Sequence, residues 1–580
     1  MTNYKSKIDT FDFNKDDLNE LLFKKYGQNW PIVYVINNDK EAYIGESQNA
    51  YNRMKNHLDN AERKKLKKVN IIHNDSFNKS AILDIESLLI QYFGADNKYK
   101  LQNGNSGQSQ SHDYYQRQKY INEVPKIWKL LADKQLVISK LAQLENSDLF
   151  KYSPYKSLTP DQYTTANDII NDIAKCAKNN ERRSFIVNGS AGTGKTILAM
   201  YLIKTIYEGL YRNVDASDLE ENDDDNGIIK SIEKLKTYNN GKPISIGFVV
   251  PMVSLRNTLK KVLRGIKKPS KDAVNPSSII IGPNDVCKKK YDLLIVDEAH
   301  RLTSRKGITN YKAFDDINRS LGFDNSGTQL DWVMKCSKYQ ILFYDKKQSI
   351  RPADIDKKSF EDLIELSNSY SLTTQMRVAG GNEYIQFINN LFSNKLKTNK
   401  KMSFKDYDFK LYNDVDQMIK DIKKKDKELD LCRNIAGYSW PWKTKGKSYK
   451  EITTNNLYDI EIQGHKYFWN TENDWINSKH AIDEIGCIHK VQGYDLNYTG
   501  LIIGNDLSYD FKNNKFIVNK DEYYDTKGKV SIKDDNELLE YIINIYKIIL
   551  TRGIKGTYIY VCDDELRKYF EQFIETQKQD

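Results

Sequence analysis

The chain has 580 residues, 39% of them apolar, and a formal net charge of +10. That length is too great for one hydrophobic core and suggests roughly three to four domains of ordinary size. The charge permits a nucleic-acid partner without requiring one, and no apolar run approaches the ~18 residues of a membrane helix.

The opening MTNYKSKIDTFDFNKDD lacks the apolar core of a signal peptide. The six cysteines (Cys176, Cys287, Cys336, Cys432, Cys487 and Cys562) include no C-x-x-C pair, so neither a zinc site nor a disulfide framework is indicated. A cytoplasmic location is expected, with no membrane association and no obligate protein partner.

Residues 1–105 read as a small α/β unit with an antiparallel sheet. IVYVI and AYIG are predicted strands around the turn NNDKE, a hairpin that by itself means nothing beyond folding. The following helical stretch carries Arg53 and His57 four residues apart, hence on one face. AILDIESLLIQYFG predicts a second helix with an apolar stripe of Ile82, Leu83, Ile85, Leu89, Ile90 and Phe93, and Glu86 near its edge. Residues 106–155 start polar and become helical, with apolar Ile127, Leu130, Leu131, Leu136, Val137 and Leu141, until Pro154 and Pro160 forbid continuation. This segment is expected to be a helical linker or connecting bundle.

From 156 to 365, the apolar runs SFIVNG, ISIGFVVP, SIIIG, YDLLIVD and YQILFYD alternate with helical stretches, the pattern of a parallel sheet wrapped by helices. The acidic stretch 215–227 is expected to be a solvated loop. A second such zone runs from 366 to 580, with IGCIHK, GLIIG and GTYIYV as strands and the insertion GYSWPWKTKG at 437–446. The fold class is α/β throughout.

FIVNGSAGTGKTILAMYLIK reads strand, glycine-rich loop, helix. The loop residues Gly189, Ser190, Ala191, Gly192, Thr193 and Gly194 let backbone N–H groups close around phosphate oxygens at a helix N-terminus. Lys195 would reach the β/γ-phosphates and the Thr196 hydroxyl would coordinate Mg²⁺. In YDLLIVDEAHRL, four apolar residues deliver Asp297 and Glu298 to the carboxyl edge of a buried strand, where open α/β sheets bind ligands. There Asp297 would hold Mg²⁺ and Glu298 would activate the attacking water.

Further stretches follow in order: LTPDQ with Gln162, YQILFYDKKQSIRP with Asp345 and Gln348, SLTTQMRV with Arg377, IGCIHKVQGYDL with His489, Lys490, Gln492, Gly493 and Asp495, and YKIILTRG with Thr551 and Arg552. Together they resemble the motifs of superfamily 1 helicases over residues 156–580, most closely the Schlafen-type helicase domain, matched by FKYSPYKSL, PMVSLR and HKVQGYDL. That resemblance implies two RecA-like lobes and ATP as cofactor. It implies that Gln162 reads the adenine edge, that Asp345 and Gln348 sense the γ-phosphate or its water, and that Gln492 and Gly493 join the nucleotide site. Arg377 and Arg552 would act across the cleft as arginine fingers, each able to contribute on the order of 10³ to 10⁵ in rate. Trp440, Trp442, Arg256 and Lys260 are candidates for the nucleic-acid strand; the tryptophans read equally well as core. His489 either couples the ATP and strand sites or is a core histidine.

The series Tyr34, Tyr43-Ile44-Gly45, Arg53, His57, Glu86 and Asn103 (or Asn105) resembles the GIY-YIG nuclease family. The resemblance implies a tyrosine hydroxyl near the general base, Arg53 beside the scissile phosphate, and Glu86 binding one divalent metal, Mg²⁺ or Mn²⁺. Cleaving a phosphodiester requires such charge neutralisation and water activation. One position departs from the pattern: Ile32 stands where the family's first motif has glycine.

The expected function is an ATP-dependent helicase or translocase with a metal-dependent endonuclease, acting on single-stranded or branched DNA, or on RNA, in defence against foreign nucleic acid such as phage. The alternatives are a nucleic-acid sensor whose front end binds without cutting, and a helicase or translocase alone.

Overall fold

Three apolar strand zones in the chain become three separate sheets in the computed structural model. It describes residues 5–578 apart from 104–113, 157, 191, 212–224, 267, 269, 309, 346–353, 356, 376–377, 397–399, 473–474, 492–494, 526–528, 530–531 and 533. Most of the acidic stretch 215–227 therefore lies outside the described residues, and a helix begins at Asp225.

The front end contains β1 (Lys7–Asp12), β2 (Ile32–Asn37), β3 (Glu41–Ser47), β4 (Lys68–His73) and β5 (Lys100–Leu101), in the order β1-β4-β2-β3-β5. All pairings are antiparallel except the short β3–β5 ladder. The β2–β3 turn is set by Asn38, whose side chain accepts from the N–H groups of Lys40 and Glu41. β2 is buried along its whole length, so alternation sorts its side chains between two cores. Val33 and Val35 join Ala42 and Ile44 on the face covered by helix α2 (Lys79–Asp96). Ile32, Tyr34 and Ile36 join Tyr43 on the opposite face, covered by helix α1 (Ala50–Asp59) through Met54.

The stretch after the front end docks on α2. Helix α3 (Val124–Asp133) and residues Tyr120, Leu136, Val137, Leu144 and Tyr155 share one buried cluster with Leu89, Ile90 and Phe93. The Trp128 ring stands 5.6 Å from Phe93, edge to face, and its indole N–H donates to the Ser139 carbonyl. Asp96 accepts from the N–H groups of Ile138 and Ser139. The helix predicted to have one apolar stripe is thus apolar on two sides, because the sheet covers one and the connector the other.

The first lobe is a parallel sheet of β6 (Arg183–Gly189), β7 (Ile246–Val249), β8 (Ile280–Ile281), β9 (Tyr291–Val296), β10 (Ser337–Tyr344) and β11 (Asn368–Leu372), in the order β11-β6-β10-β9-β7-β8. Helices α4 (Pro160–Lys178), α5 (Lys195–Tyr211) and α6 (Val253–Arg264) pack on it. β11 lies beyond the expected lobe boundary at 366, yet it pairs with the open edge of β6, so the first sheet extends to Leu372 before the chain crosses over.

The second lobe joins β12 (Asp408–Tyr412), β13 (Cys432–Ala436), β16 (Ile485–Cys487), β17 (Leu496–Ile503) and β20 (Gly553–Val561) in the parallel order β12-β20-β17-β13-β16. Two hairpins complete it, β14 (Ile460–Ile462) with β15 (His465–Tyr467), and β18 (Leu507–Asp510) with β19 (Lys515–Val518). Helix α7 (Asp535–Leu550) packs in its core. The run IGCIHK, expected as a strand throughout, leaves β16 after Cys487 and turns helical at Ile488–Val491. Ile488 and Val491, one turn apart, both bury in the lobe's core, which a continuing strand would not allow. Among the described residues no helix is long and apolar enough to cross a membrane.

Truncating Trp128 to alanine should cost about 3–5 kcal/mol locally. The expected readout is faster amide hydrogen exchange across residues 79–96, with exchange in β6 and β9 unaltered. Unchanged protection of α2 would show that the connector is not part of the front-end core.

Candidate nucleotide and phosphodiester sites

The ends of β6, β10 and β9 meet at one sheet edge. β6 runs into the glycine-rich loop, where Gly192 and Gly194 take positive φ. A Cβ at Gly189 would press to 2.5 Å from the Thr193 hydroxyl oxygen, so the loop closes tightly only because that atom is missing. The Lys195 ammonium donates to the carbonyls of Gly189 (2.6 Å) and Ser190 (3.1 Å) and lies 3.6 Å from Asp345 Oδ2. Asp345 follows β10 directly. The Thr196 hydroxyl donates to Asp297 Oδ2 at 2.8 Å.

Asp297 is fully buried at the end of β9, and burial with the neighbouring Glu298 charge pushes its carboxyl up to about 7. Glu298 takes the left-handed conformation at φ 47°, an uncommon one for a non-glycine residue. Burial would raise its carboxyl, but the His300 ring 2.7 Å away, with Lys195 and Arg301, holds it below the ordinary range. His300 is itself fully buried. The two carboxylates are therefore differentiated, one against the phosphate loop and one held ionised by an imidazole. A hydroxyl and a carboxylate already in contact beside Lys195 suit a hard divalent cation bridging to phosphate.

Gln162 is fully buried. Its Nε2 donates to the Thr193 carbonyl at 2.9 Å, and its Oε1 accepts from the Thr159 N–H at 3.0 Å as half of a capping box. In this structure its carboxamide grips the glycine-rich loop. Arg552 is 2% exposed at the junction of α7 and β20, where its carbonyl accepts from the Leu496 N–H. Ala191, Gln348, Arg377, Gln492 and Gly493 lie outside the described residues, as do the side chains of His489 and Lys490. Trp440 and Trp442 are half-buried against the second lobe's core, with Trp442 6.0 Å from Trp469. Arg256 donates to the Val250 carbonyl at the end of β7, and Lys260 lines a groove with Lys288 and Lys289.

In the front end, Tyr34 and Gly45 face each other across the β2–β3 ladder. A Cβ at Gly45 would overlap the Tyr34 ring and hydroxyl, so glycine there makes room for the tyrosine. The Tyr34 hydroxyl lies 2.7 Å from His57 Nε2 and accepts from Arg53 Nε at 3.2 Å. Burial, then the neighbouring Tyr43, pushes Tyr34 well above its usual range, with Arg53 opposing. Burial, then Arg63 and Arg53, holds His57 well below its usual range. Either group can donate in this pair, according to which ring nitrogen of the neutral His57 carries its proton. Tyr43 packs 5.0 Å from the His57 ring, and Glu86 on α2 is close enough to act electrostatically on the Tyr34 hydroxyl.

The departure at Ile32 carries no steric conflict. Ile32 is fully buried in the same core as Leu18 and Leu21, so the site's glycine requirement falls on Gly45 alone. Asn103 is likewise buried, and its side chain pairs with both the N–H (3.0 Å) and the carbonyl (2.7 Å) of Ile44. It extends the β3 ladder rather than facing the hydroxyls. Among the described residues no group of three His, Cys, Asp or Glu side chains gathers as a metal centre. A metal in the front end would have Glu86 as its protein carboxylate and would depend on water and phosphate for the rest, a set suited to Mg²⁺.

Two residues escape sequence reasoning. Arg63, 8% exposed, places its guanidinium 4.0 Å over the Tyr43 ring and, after burial and together with Arg53, holds His57 below its usual range. Nothing in the run ERKKLKK distinguishes it from the adjacent lysines. His300 stands as the fourth letter of DEAH, but only the fold shows that its ring lies 2.7 Å from the Glu298 carboxylate.

A family model for the Schlafen group 3 DNA/RNA helicase domain matches residues 182–563. An uncharacterised protein of Saccharomyces cerevisiae, YPL245W, is 27% identical over 414 residues, covering 66% of this chain and 83% of that protein. Among solved structures, the arterivirus nonstructural protein 10 helicase is 10% identical over 69% of this chain, with a TM-score of 0.28, and this chain spans 64% of its length. The Bacteroides Pif1 helicase, solved with ADP-AlF3 and ssDNA, is 14% identical over 71% of this chain and 94% of its own, with a TM-score of 0.25. Likeness at those scores carries no argument about this chain. The family model spans both sheets built around the nucleotide-site motifs, and the chain belongs to the Schlafen group 3 DNA/RNA helicase family.

Proposed function

We propose that the protein is an ATP-hydrolysing nucleic-acid helicase or translocase whose front end is a metal-dependent phosphodiesterase. The observation that carries the motor half is the convergence of Lys195, Thr196, Asp297, Glu298 and Asp345 at the carboxyl edge of three neighbouring strands. Mg²⁺, when bound, supplies charge neutralisation on the β- and γ-phosphates, with Thr196 and Asp297 as its holders. Lys195 leaves its two loop carbonyls for the phosphates. Glu298, kept ionised by His300, orients the attacking water and accepts its proton. Asp345 and Gln348 read the γ-phosphate, and Arg377 and Arg552 of the crossing segment and second lobe complete the charge. Gln162 holds the loop through Thr193 and turns to adenine when nucleotide arrives.

The Tyr34–His57 hydrogen bond, with Arg53 on the same hydroxyl, supports the phosphodiesterase half. His57, neutral, is the base. Tyr34 remains a protonated hydroxyl and relays a proton to Nε2. Arg53 and Arg63 offset the phosphodiester charge, and Glu86 holds the metal. The substrate is single-stranded or branched DNA, or RNA, which the motor feeds to the front end. A cutter joined to a motor suits action against invading nucleic acid such as phage; that role is inferred from architecture. The burial of Tyr34 and His57, with Arg63 standing over the neighbouring Tyr43, favours a second reading, in which the front end senses a nucleic-acid end without cutting it.

Purified protein should hydrolyse ATP in the presence of single-stranded nucleic acid and Mg²⁺. Glu298→Gln should lower kcat about 10²- to 10⁴-fold while leaving ATP binding intact; a wild-type rate in that variant excludes Glu298 as base. Incubation with plasmid, single-stranded DNA and RNA should give Mg²⁺- or Mn²⁺-dependent cutting of at least one. Glu86→Ala should abolish that cutting and leave ATP turnover unchanged. Binding without cleavage of any substrate would instead establish the sensor reading.

Burial, with Arg63 and Arg53, holds His57 below its usual range. A base whose conjugate acid lies well below ~6.5 stays neutral as pH falls through that value. Cleavage rate should therefore hold its plateau down to about pH 6. An acid limb centred near 6.5 would mean that burial and the two arginines do not depress His57.

A further inference from the structure

The chain crosses from the first lobe to the second immediately after β11, and the crossing segment lies against the phosphate loop. Gly192 has φ 87°, and a Cβ built on it would stand within 2.8 Å of both Cδ and Nε2 of Gln375 and closer still to Oε1. The Gln375 carboxamide is thus packed against the glycine-rich loop, with Oε1 its nearest atom. Its position is fixed from behind. The N–H groups of Thr373 and Thr374 both donate to Asp161 Oδ2 at 3.2 Å. Burial would raise the Asp161 carboxyl, but these N–H groups and the Thr159 hydroxyl hold it below the ordinary range. Asp161 directly precedes Gln162, which binds the loop at Thr193. One turn of α4 therefore grips the phosphate loop with one residue and the interlobe crossing with the next.

We propose that Gln375 is a phosphate-contacting residue of the nucleotide site, held there by Asp161 as a positioning residue. This rests on the reading of the glycine-rich loop as an ATP site. Phosphate oxygens only accept hydrogen bonds, and the carboxamide N–H₂ beside Gly192 is a donor that can meet them. Because Gln375 belongs to the segment joining the lobes, phosphate contact at this residue also reports nucleotide state to the second lobe. Nothing in SLTTQMRV marks the glutamine over its neighbours. Its proximity to Gly192 follows from the pairing of β11 with β6, which carries the crossing segment past the mouth of the loop.

The test is the affinity of the full chain for a fluorescent ATP analogue with Mg²⁺, measured for Gln375→Ala, Gln375→Glu, Asp161→Ala and Asp161→Asn, with Lys195→Ala as control. Gln375→Ala should bind about tenfold more weakly. Gln375→Glu should bind more weakly again, because a carboxylate beside the polyphosphate is repelled and donates nothing. Asp161→Ala should lose a similar factor, while Asp161→Asn, which keeps an acceptor oxygen for the two N–H groups, should recover most of it. The variants should melt with the wild type when no nucleotide is present. If Gln375→Ala binds the analogue as tightly as wild type, or more tightly because a plug has been removed, the proposal is overturned. If instead Lys195→Ala binds as well as wild type, or wild type does not bind at all, the nucleotide-site reading itself fails.

Discussion

The parallel register of β6, β10 and β9 is the constraint on which the motor half depends. Asn188 pairs with Tyr344, so Gly189 and Asp345 leave their strands level with each other, and Leu342 pairs with Val296, so Asp297 follows β9 level with Phe343, two residues short of Asp345 on the same side of the sheet. A slip of one residue between any two strands would turn one of these groups to the other face of the sheet. Lys195 could then no longer sit 3.6 Å from Asp345, nor Thr196 2.8 Å from Asp297. The register is held by side chains that are buried on both faces: Ile341, Phe343 and Val187 in one core, Leu342, Tyr344 and Ile186 in the other.

A second register, in the front end, acts by the same logic at smaller scale. Alternation on β2 places Tyr34 on the α1 side, and the β2–β3 pairing sets Tyr43 diagonally from it and Gly45 opposite it. One turn of α1 then supplies Arg53 and His57 to the same hydroxyl. Glu86 comes from α2 on the other side of the sheet, and that helix is anchored by the connector. The connector in turn reaches the motor: Leu149 packs against both the front-end core and the first lobe's core, and Lys151 donates to the Asp495 carbonyl of the second lobe. The three parts are joined by packing and not by a free tether.

The crossing segment and the glycine-rich loop are tied to one helix N-terminus. Asp161 and Gln162 are adjacent in sequence, yet one holds Thr373 and Thr374 and the other holds Thr193. A helix N-terminus is suited to this, since its first-turn side chains already point back along the chain and its cap fixes their geometry.

Much of the fold could be read from the chain alone. The alternation of short apolar runs with helical stretches announced two parallel sheets, and GSAGTGKT and DEAH announced the edge where chemistry would be placed, because local spacing alone decides strand, loop and helix N-terminus. The front-end residues Tyr34, Arg53 and His57 were legible only through their resemblance to the GIY-YIG pattern, with the four-residue spacing of Arg53 and His57 placing those two on one helical face. Arg63 was not, since its value lies in standing over Tyr43 and beside His57, and its sequence neighbours are equally basic. Gln375 was hidden for a similar reason: it meets Gly192 only because β11 pairs with β6. That Asn103 latches onto Ile44 and that the connector covers α2 also required the tertiary structure. Sequence determined which residues could do chemistry and which periodicity would carry them. The tertiary structure decided which of them meet, because contacts between distant segments depend on sheet order, register and burial, none of which is a local property of the chain.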